Sequence, residues 1–213
     1  MRYLVSAGPT REPLDPVRYF SNRSTGRMGL AVAAAALAAG HQVALVLGPT
    51  ALTPPVGIDV VPVETAAEMH AALLARFPDC DVLVMTAAVA DYTPRRPSDR
   101  KLKQSGAELV VELMPTADIL ADLGARRRAD QVLVGFALET ATGEEARALA
   151  QGKLARKRLD IIVLDGPSAF GEALVDGELI FADGRRERLG GLDKNEVARR
   201  IVAAADGWRS RCA

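Results

Sequence analysis

The sequence predicts an α/β fold: a Rossmann-like, mostly parallel sheet with helices on both faces, extended by β-hairpins. Three observations carry that expectation. Short, continuously apolar runs alternate with helical stretches almost from end to end, the pattern of strands covered on both faces. No internal repeat or linker splits the 213 residues, so they are expected to form one domain, residues 1–213, large enough for a substantial core. The unusual residues fall in the loops that follow Ser6, Ala87, Phe136 and Leu164, at the carboxyl ends of predicted strands, where open parallel sheets bind ligands.

Residues 2–6 read as the first strand. A loop of about twenty residues, rich in Gly, Pro, Arg, Ser, Thr and Asn, follows; loops of that length inside a compact domain are uncommon and often functional. An alanine-rich helix is expected over 27–39, with Ser24 or Thr25 as its cap and Gly40 as its stop. A strand over 42–47 ends at Gly48-Pro49, and a short strand covers 60–63. Thr65 and Glu68 form a capping box that opens a helix running to about Arg76. Residues 81–87 form a buried strand and 88–100 a loop; 102–113, with Ser105-Gly106 as the turn, read as a hairpin. A short helix over 117–125, a strand over 132–136, a helix over 143–158 and a strand over 161–164 follow. Asp183-Gly184 between 178–181 and 186–189 signals a second hairpin, and Asp193 caps a last helix to about Asp206.

Basic and acidic residues number 27 each, and zero net charge argues against bulk attraction to nucleic acid or membrane. No apolar run approaches a membrane span, and the opening residues are too short and wrongly flanked for a signal peptide. Cys80 and Cys212, without a CxxC, point to a reducing cytoplasm with neither a disulfide framework nor a zinc site. His41 and His70 are the only histidines, which excludes a histidine-rich metal site.

The first loop, SAGPTREPLDPVRYFSNRSTGRMG over 6–29, ends like an anion cradle. Asn22, Ser24, Thr25, Gly26 and Gly29 surround a helix N-terminus, whose free N–H groups and dipole favour phosphate. Arg11, Arg18, Arg23 and Arg27 crowd the same loop, and guanidinium forks match phosphate and carboxylate. Neither G-x-G-x-x-G nor G-x-x-x-x-G-K-[ST] occurs there, so an ordinary strand–loop–helix connection stays an alternative. The small residues Ala87 and Ala88 let a ligand approach the backbone, and Asp91 suits a ligand hydroxyl or amide as well as a turn cap. Lys101 and Lys103 would share one strand face, although a solvated edge is the simpler reading of that run. Lys153 and Lys157 share a helix face and could grip a triphosphate, on a helix that Arg147, Arg156 and Arg158 make basic anyway. Phe136 reads as core by default, or as the lining of a nucleotide site.

SAGPTREPLDPVRYFSNRSTGRMG, AAVADYTP, KLK, ADIL, VGFALET and KLARKRLDIIV, in that order, resemble the phosphopantothenoylcysteine synthetase (phosphopantothenate–cysteine ligase) family from Tyr3 to about Ile201. In many bacteria that domain is the C-terminal half of a bifunctional coenzyme A biosynthesis protein. The expectation is a free-standing synthetase or an excised domain, since no flavin-dependent decarboxylase half precedes it here. The resemblance implies a cytoplasmic, homodimeric ligase using Mg2+ and CTP, with ATP as the alternative nucleotide. The carboxylate of 4'-phosphopantothenate attacks the nucleotide α-phosphate and diphosphate leaves. The amine of L-cysteine then captures the acyl-nucleotidylate and releases CMP.

The resemblance also implies roles. Asn22 contacts the acyl intermediate and Lys101 neutralises phosphate or acyl oxyanion charge; these are the implied catalytic residues. Arg18 reaches the phosphopantothenate of the neighbouring subunit, and Asn22, Ala87, Ala88 and Asp91 complete the substrate site. The implied nucleotide site takes Gly8, Ser24, Gly26 and Gly29 from the first loop, and Met85, Thr86, Ala87, Asp91 and Lys101 from the second. Thr116, Ala117, Asp118, Ile119, Phe136, Lys153 and Lys157 complete it. Metal ligands are not assigned, since the triphosphate itself supplies most of them.

Two departures bear on the nucleotide. Thr116-Ala117-Asp118-Ile119 stands where the family reads Asn-Pro-Asp-Ile, and Leu164-Asp165-Gly166 where it reads Ala-Asn-Asp. An ionised carboxylate only accepts hydrogen bonds and repels phosphate. A bound metal, a shifted loop or a changed nucleotide preference is therefore expected at Asp165, and 167–174 also depart. Two other classes compete with this reading. An NAD(P)-binding Rossmann oxidoreductase is opposed by the missing fingerprint glycines and by Gly48-Pro49, where an acidic residue would hold a ribose. A nucleotide-binding but catalytically weak synthetase-like subunit is motivated by Asp165 and opposed by Asn22 and Lys101.

Overall fold

The computed structural model describes residues 1–106, 108–166 and 174–212. In chain order its first strands are β1 (Arg2–Ala7), β2 (Glu12–Pro13), β3 (Tyr19–Phe20), β4 (Gln42–Leu47), β5 (Asp59–Pro62), β6 (Val82–Met85) and β7 (Tyr92–Pro94). Then come β8 (Leu113–Pro115), β9 (Val132–Leu138), β10 (Ile161–Asp165), β11 (Leu174–Val175), β12 (Glu178–Phe181), β13 (Arg186–Arg188) and β14 (Leu192–Asp193). The helices are α1 (Arg27–Ala38), α2 (Ala66–Arg76), α3 (Ile119–Arg126), α4 (Gly143–Arg156) and α5 (Lys194–Cys212).

Eight strands form one sheet in the order β13-β12-β10-β9-β6-β1-β4-β5. The six from β10 to β5 are parallel, and β12 and β13 are antiparallel. Counted along the chain, the parallel part runs 3-2-1-4-5-6, so sheet growth reverses between β1 and β6, the switch point at which doubly wound sheets bind ligands. Alternation divides the core between the two faces. Tyr3, Val5 and Ala7 of β1 pack with Val32 and Ala36 of α1 and Val197 and Ile201 of α5. Leu4, Leu83 and Leu133 face the other way, onto Met69 and Leu73 of α2, Leu123 of α3 and Leu154 of α4. Burying each such leucine contributes about 2 kcal/mol.

Helix α1 approaches β1 closely because the residues between them are small. A Cβ at Gly29 would lie 2.3 Å from the Ala7 Cβ and 2.4 Å from Thr86 Oγ1. The Thr65–Glu68 capping box and the Asp183-Gly184 turn form as the sequence predicts, with Gly184 at φ 87°.

Four expectations change. The cap of α1 is Gly26 at φ 77°, a left-handed conformation that suits glycine; Ser24 and Thr25 stand two and one positions too early. The loop after β1 contains the small β2–β3 ladder. The hairpin expected over 102–113 is absent: pairing lies further out, between β7 and β8, and the described residues from 95 to 112 form no strand. The hydrophobic alternation there has no sheet to face, and Val110 is 87% exposed. The shared strand face of Lys101 and Lys103 falls with that hairpin. Finally, α5 continues past Asp206 to Cys212, where Trp208 stacks on Phe181 of β12 at 6.0 Å.

Candidate active site

A cavity of about 630 Å3 opens at the carboxyl ends of β6, β9 and β10 and beneath the N-terminus of α1. That is the size of an ordinary small-molecule site. The cap residue Gly26 has no side chain to offer; Arg27 N–H donates to Thr25 Oγ1 at 3.5 Å, and the next first-turn N–H groups of α1 are left to the cavity that Ser24, Gly26 and Gly29 line.

The loop before α1 is tied to the loop after β6 by a dense set of polar contacts. Thr10 N–H donates to the Ala88 carbonyl at 3.2 Å, Ala88 N–H to Gly8 O at 3.0 Å and Ala90 N–H to Thr10 Oγ1 at 3.0 Å. Asn22 Nδ2 donates to the same Ala88 carbonyl at 2.5 Å, while its Oδ1 accepts Ser24 N–H at 3.0 Å. The Asn22 amide is therefore held in one orientation at the cavity wall before any ligand arrives. Gly8 lies under this network at φ 85°, where a Cβ would meet the Gly48 carbonyl oxygen at 2.9 Å.

On the far wall, Asp118 caps α3 by accepting Ala121 N–H at 3.1 Å and pairs with Lys157 Nζ at 2.8 Å. Burial works against the Asp118 charge, but Lys157 and the Ala121 N–H outweigh it and hold the carboxyl below its usual range. Phe136 and Leu138 of β9 sit in register with Val163 and Asp165 of β10. Asp165 is 8% exposed, and burial pushes its carboxyl above the usual range against the opposing pull of Gly166 N–H and Lys194.

The cavity thus brings together Asn22, Ser24, Gly26, Gly29, Met85, Thr86, Ala87, Ala88 and Asp91 from the first two loops. Thr116, Ala117, Asp118, Ile119, Phe136 and Lys157 join them from the later ones. Gly8, Arg18, Lys101 and Lys153 do not line it. Lys153 Nζ lies 2.6 Å from Glu139 Oε1, an ion pair without hydrogen-bond alignment, since that buried oxygen makes no hydrogen bond. Arg18 forks onto Asp15, and Lys101 is exposed in the segment between β7 and β8.

Lys194 is a lining residue that the sequence reading missed; the Asp193 cap that marks the start of α5 was its available signal. Residues 167–173, where the sequence departs from the family pattern, lie outside the described residues. Both histidines are engaged away from the cavity, His41 with Asp206 and His70 with Asp122. Among the described residues no group of three or more His, Cys, Asp or Glu could hold a metal ion, and no helix is long and apolar enough to cross a membrane.

Residues 1–207 match the family described as DNA/pantothenate metabolism flavoprotein C-terminal domain. The chain is 41% identical over 204 residues to the coenzyme A biosynthesis bifunctional protein CoaBC of Bacillus subtilis (strain 168), covering 93% of this chain and 49% of that protein. It is 45% identical over 210 residues to a protein named cysteine/cysteine sulfinic acid decarboxylase from an unknown prokaryotic organism, covering 96% and 56%. The chain thus spans about half the length of the curated relatives it matches. The crystal structure of the C-terminal domain of CoaBC superposes with a TM-score of 0.84 at 38% identity, covering 99% of this chain and 96% of that one.

Proposed function

The chain belongs to the DNA/pantothenate metabolism flavoprotein C-terminal domain family, and from that premise we propose that it is a ligase joining 4'-phosphopantothenate to L-cysteine in coenzyme A biosynthesis. The observation that carries the reading is the prebuilt cavity, in which the Asn22 amide and the glycine-capped N-terminus of α1 face one space. The CoaBC relatives and the CoaBC C-terminal domain support it.

The chemistry follows from what a carboxylate lacks. A free carboxylate is a poor acyl donor, and attack on the α-phosphate of CTP gives it a leaving group, with diphosphate departing. Two anions meet in that step, so donors must stand where charge accumulates. The α1 N–H groups, Arg23, Arg27 and Lys157 surround the cavity for that purpose. Asn22 orients the acyl carbonyl, and the cysteine amine displaces CMP. Lys101 completes the charge neutralisation when the segment that carries it meets the bound substrates.

Mg2+ bound to the triphosphate would add charge neutralisation. With no three-carboxylate cluster among the described residues, the phosphates would supply most of its ligands, and Asp91 on the cavity wall is the side chain placed to share it. Exposed Val17, Tyr19, Phe20, Tyr92, Leu113 and Met114 lie on or beside the neighbouring β2–β3 and β7–β8 ladders and support a homodimer through that face. The same reading places the protein in the cytoplasm, with its two small-molecule substrates.

The test is diphosphate release with 4'-phosphopantothenate, L-cysteine and Mg2+, comparing CTP with ATP. Release with CTP supports the full reading. Release with ATP alone retains the ligase and moves the nucleotide preference to the Asp165 wall. Release with neither contradicts the reading and favours a nucleotide-binding subunit.

A further inference from the structure

Asp15 is a buried charge outside the cavity, and its hydrogen bonds lead to Lys101. Its side chain is fully shielded from solvent. Oδ1 accepts Val17 N–H at 2.9 Å and Arg18 N–H at 2.8 Å, closing the turn between β2 and β3. Oδ2 accepts both arms of the Arg18 fork, Nε at 3.0 Å and Nη2 at 2.6 Å. It also accepts the backbone N–H of Leu102 at 3.1 Å, across 87 residues of sequence. Arg18 Nη2 donates in turn to the Leu102 carbonyl at 2.8 Å. Asp15 and Arg18 thus take both backbone polar groups of the residue that follows Lys101. A further bond, Ser98 N–H to the Leu14 carbonyl at 2.9 Å, holds the same segment to the same turn.

Among the described residues of 95–112 there is no strand; beyond Arg95 N–H to the Glu112 carbonyl at 2.9 Å and the Ser98 hydroxyl on the Arg100 backbone, little else fixes the backbone around Lys101. A carboxylate that accepts this many N–H bonds is locked in its charged form. The Arg18 fork, helped by the backbone N–H groups, outweighs burial and holds Asp15 well below the usual carboxylate range. The paired charges satisfy each other and leave the clamp rigid.

We propose that Asp15, through Arg18 and the Leu102 peptide, is a positioning residue that sets where Lys101 is presented to the reacting phosphates. Asp15 touches no substrate in this account; it acts through the lysine. The role of Lys101 rests on the ligase reading, whereas the clamp itself does not.

The test is a double-mutant cycle in the full chain, with trypsin sensitivity as an independent measure. Asp15→Asn keeps the size of the side chain, removes its charge and replaces an acceptor with a donor facing Leu102 N–H or Arg18. Turnover at saturating substrates is expected to fall about tenfold, with the KM for CTP within about threefold. In a Lys101→Ala background the same substitution is expected to cost less than about twofold. Equal losses in both backgrounds would show that Asp15 acts through the fold at large and would overturn the proposal. In the free protein, trypsin is expected to cut after Arg100, Lys101 or Lys103 faster in Asp15→Asn than in wild type. Unchanged cutting would overturn the clamp whatever the kinetics. A wild type that releases no diphosphate would overturn the ligase reading and the catalytic purpose of the clamp, while the tryptic rates still decide the clamp itself.

Discussion

The loop that follows β1 and the segment between β7 and β8 each carry a residue proposed for the chemistry, Asn22 in one and Lys101 in the other, and they are built in opposite ways. The first is knitted into the switch point by Thr10, Asn22 and Ser24, and its glycines let α1 sit against β1. The segment between β7 and β8 has no ladder over its described residues, leaves Val110 and Leu109 in solvent, and is pinned mainly at Leu102 and Ser98. One half of the site is therefore preorganised, and the other is delivered. Preorganised donors require no reorganisation at the moment of reaction, whereas Lys101 depends for its position on the few bonds made at Leu102 and Ser98.

The largest expected effect lies on the delivered half. Lys101→Ala should cut product formation by about a hundredfold or more. Its stability change should stay within about 0.5 kcal/mol, because the exposed side chain makes no ion pair or hydrogen bond among the described residues. A thermal melt beside an end-point assay reads both; a loss of stability matching the loss of activity would break the comparison.

On the preorganised half, Asn22→Asp should slow cysteine capture about tenfold more than activation, because the new charge repels the phosphate of the acyl-nucleotidylate. A diphosphate burst followed by slow product release would report it, and capture at the wild-type rate would remove Asn22 from that step.

Stability sharpens the contrast further. Gly29→Ala places a methyl against the Ala7 Cβ and Thr86 Oγ1 and should cost about 1–3 kcal/mol by denaturant unfolding. Gly106→Ala, at φ 81° but with no atom within 4 Å of the added methyl, should cost less, about 1 kcal/mol.

The smallest effect concerns Asp165. Its folded pKa is raised, so the native state holds the proton more tightly than the unfolded chain does. The associated stability is fully present below the unfolded carboxyl pKa and is lost as pH rises through the folded value. Asp165→Asn cannot ionise, so its melting temperature relative to wild type should rise by about two degrees between acid and neutral pH. A difference constant with pH would show Asp165 ionising as freely in the folded protein as in the unfolded chain.

Much of the architecture was legible because it is local or periodic. The buried strands announce themselves as apolar runs, Thr65 and Glu68 satisfy each other three residues apart, and Asp183-Gly184 can form only a tight turn. The cavity loops were legible too, since the odd residues gather after strand ends. What escaped depends on tertiary context. The alternation over 102–113 gives the same signal whether or not a sheet is there to cover it. The bond from Asp15 to Leu102 joins residues that no short pattern connects. Lys194 reaches the cavity only because α5 returns to the carboxyl end of β10, after which its first residue stands beside Asp165.

The most direct test of the divided site is backbone hydrogen exchange of the free protein and of the protein with CTP and 4'-phosphopantothenate. The account predicts that the amides of Thr10, Ser24, Ala88 and Ala90 are already protected in the free protein, while those over 103–106 gain protection only when both substrates are bound. Amides around the cavity that exchange as fast as those over 103–106 before substrate is added would contradict it.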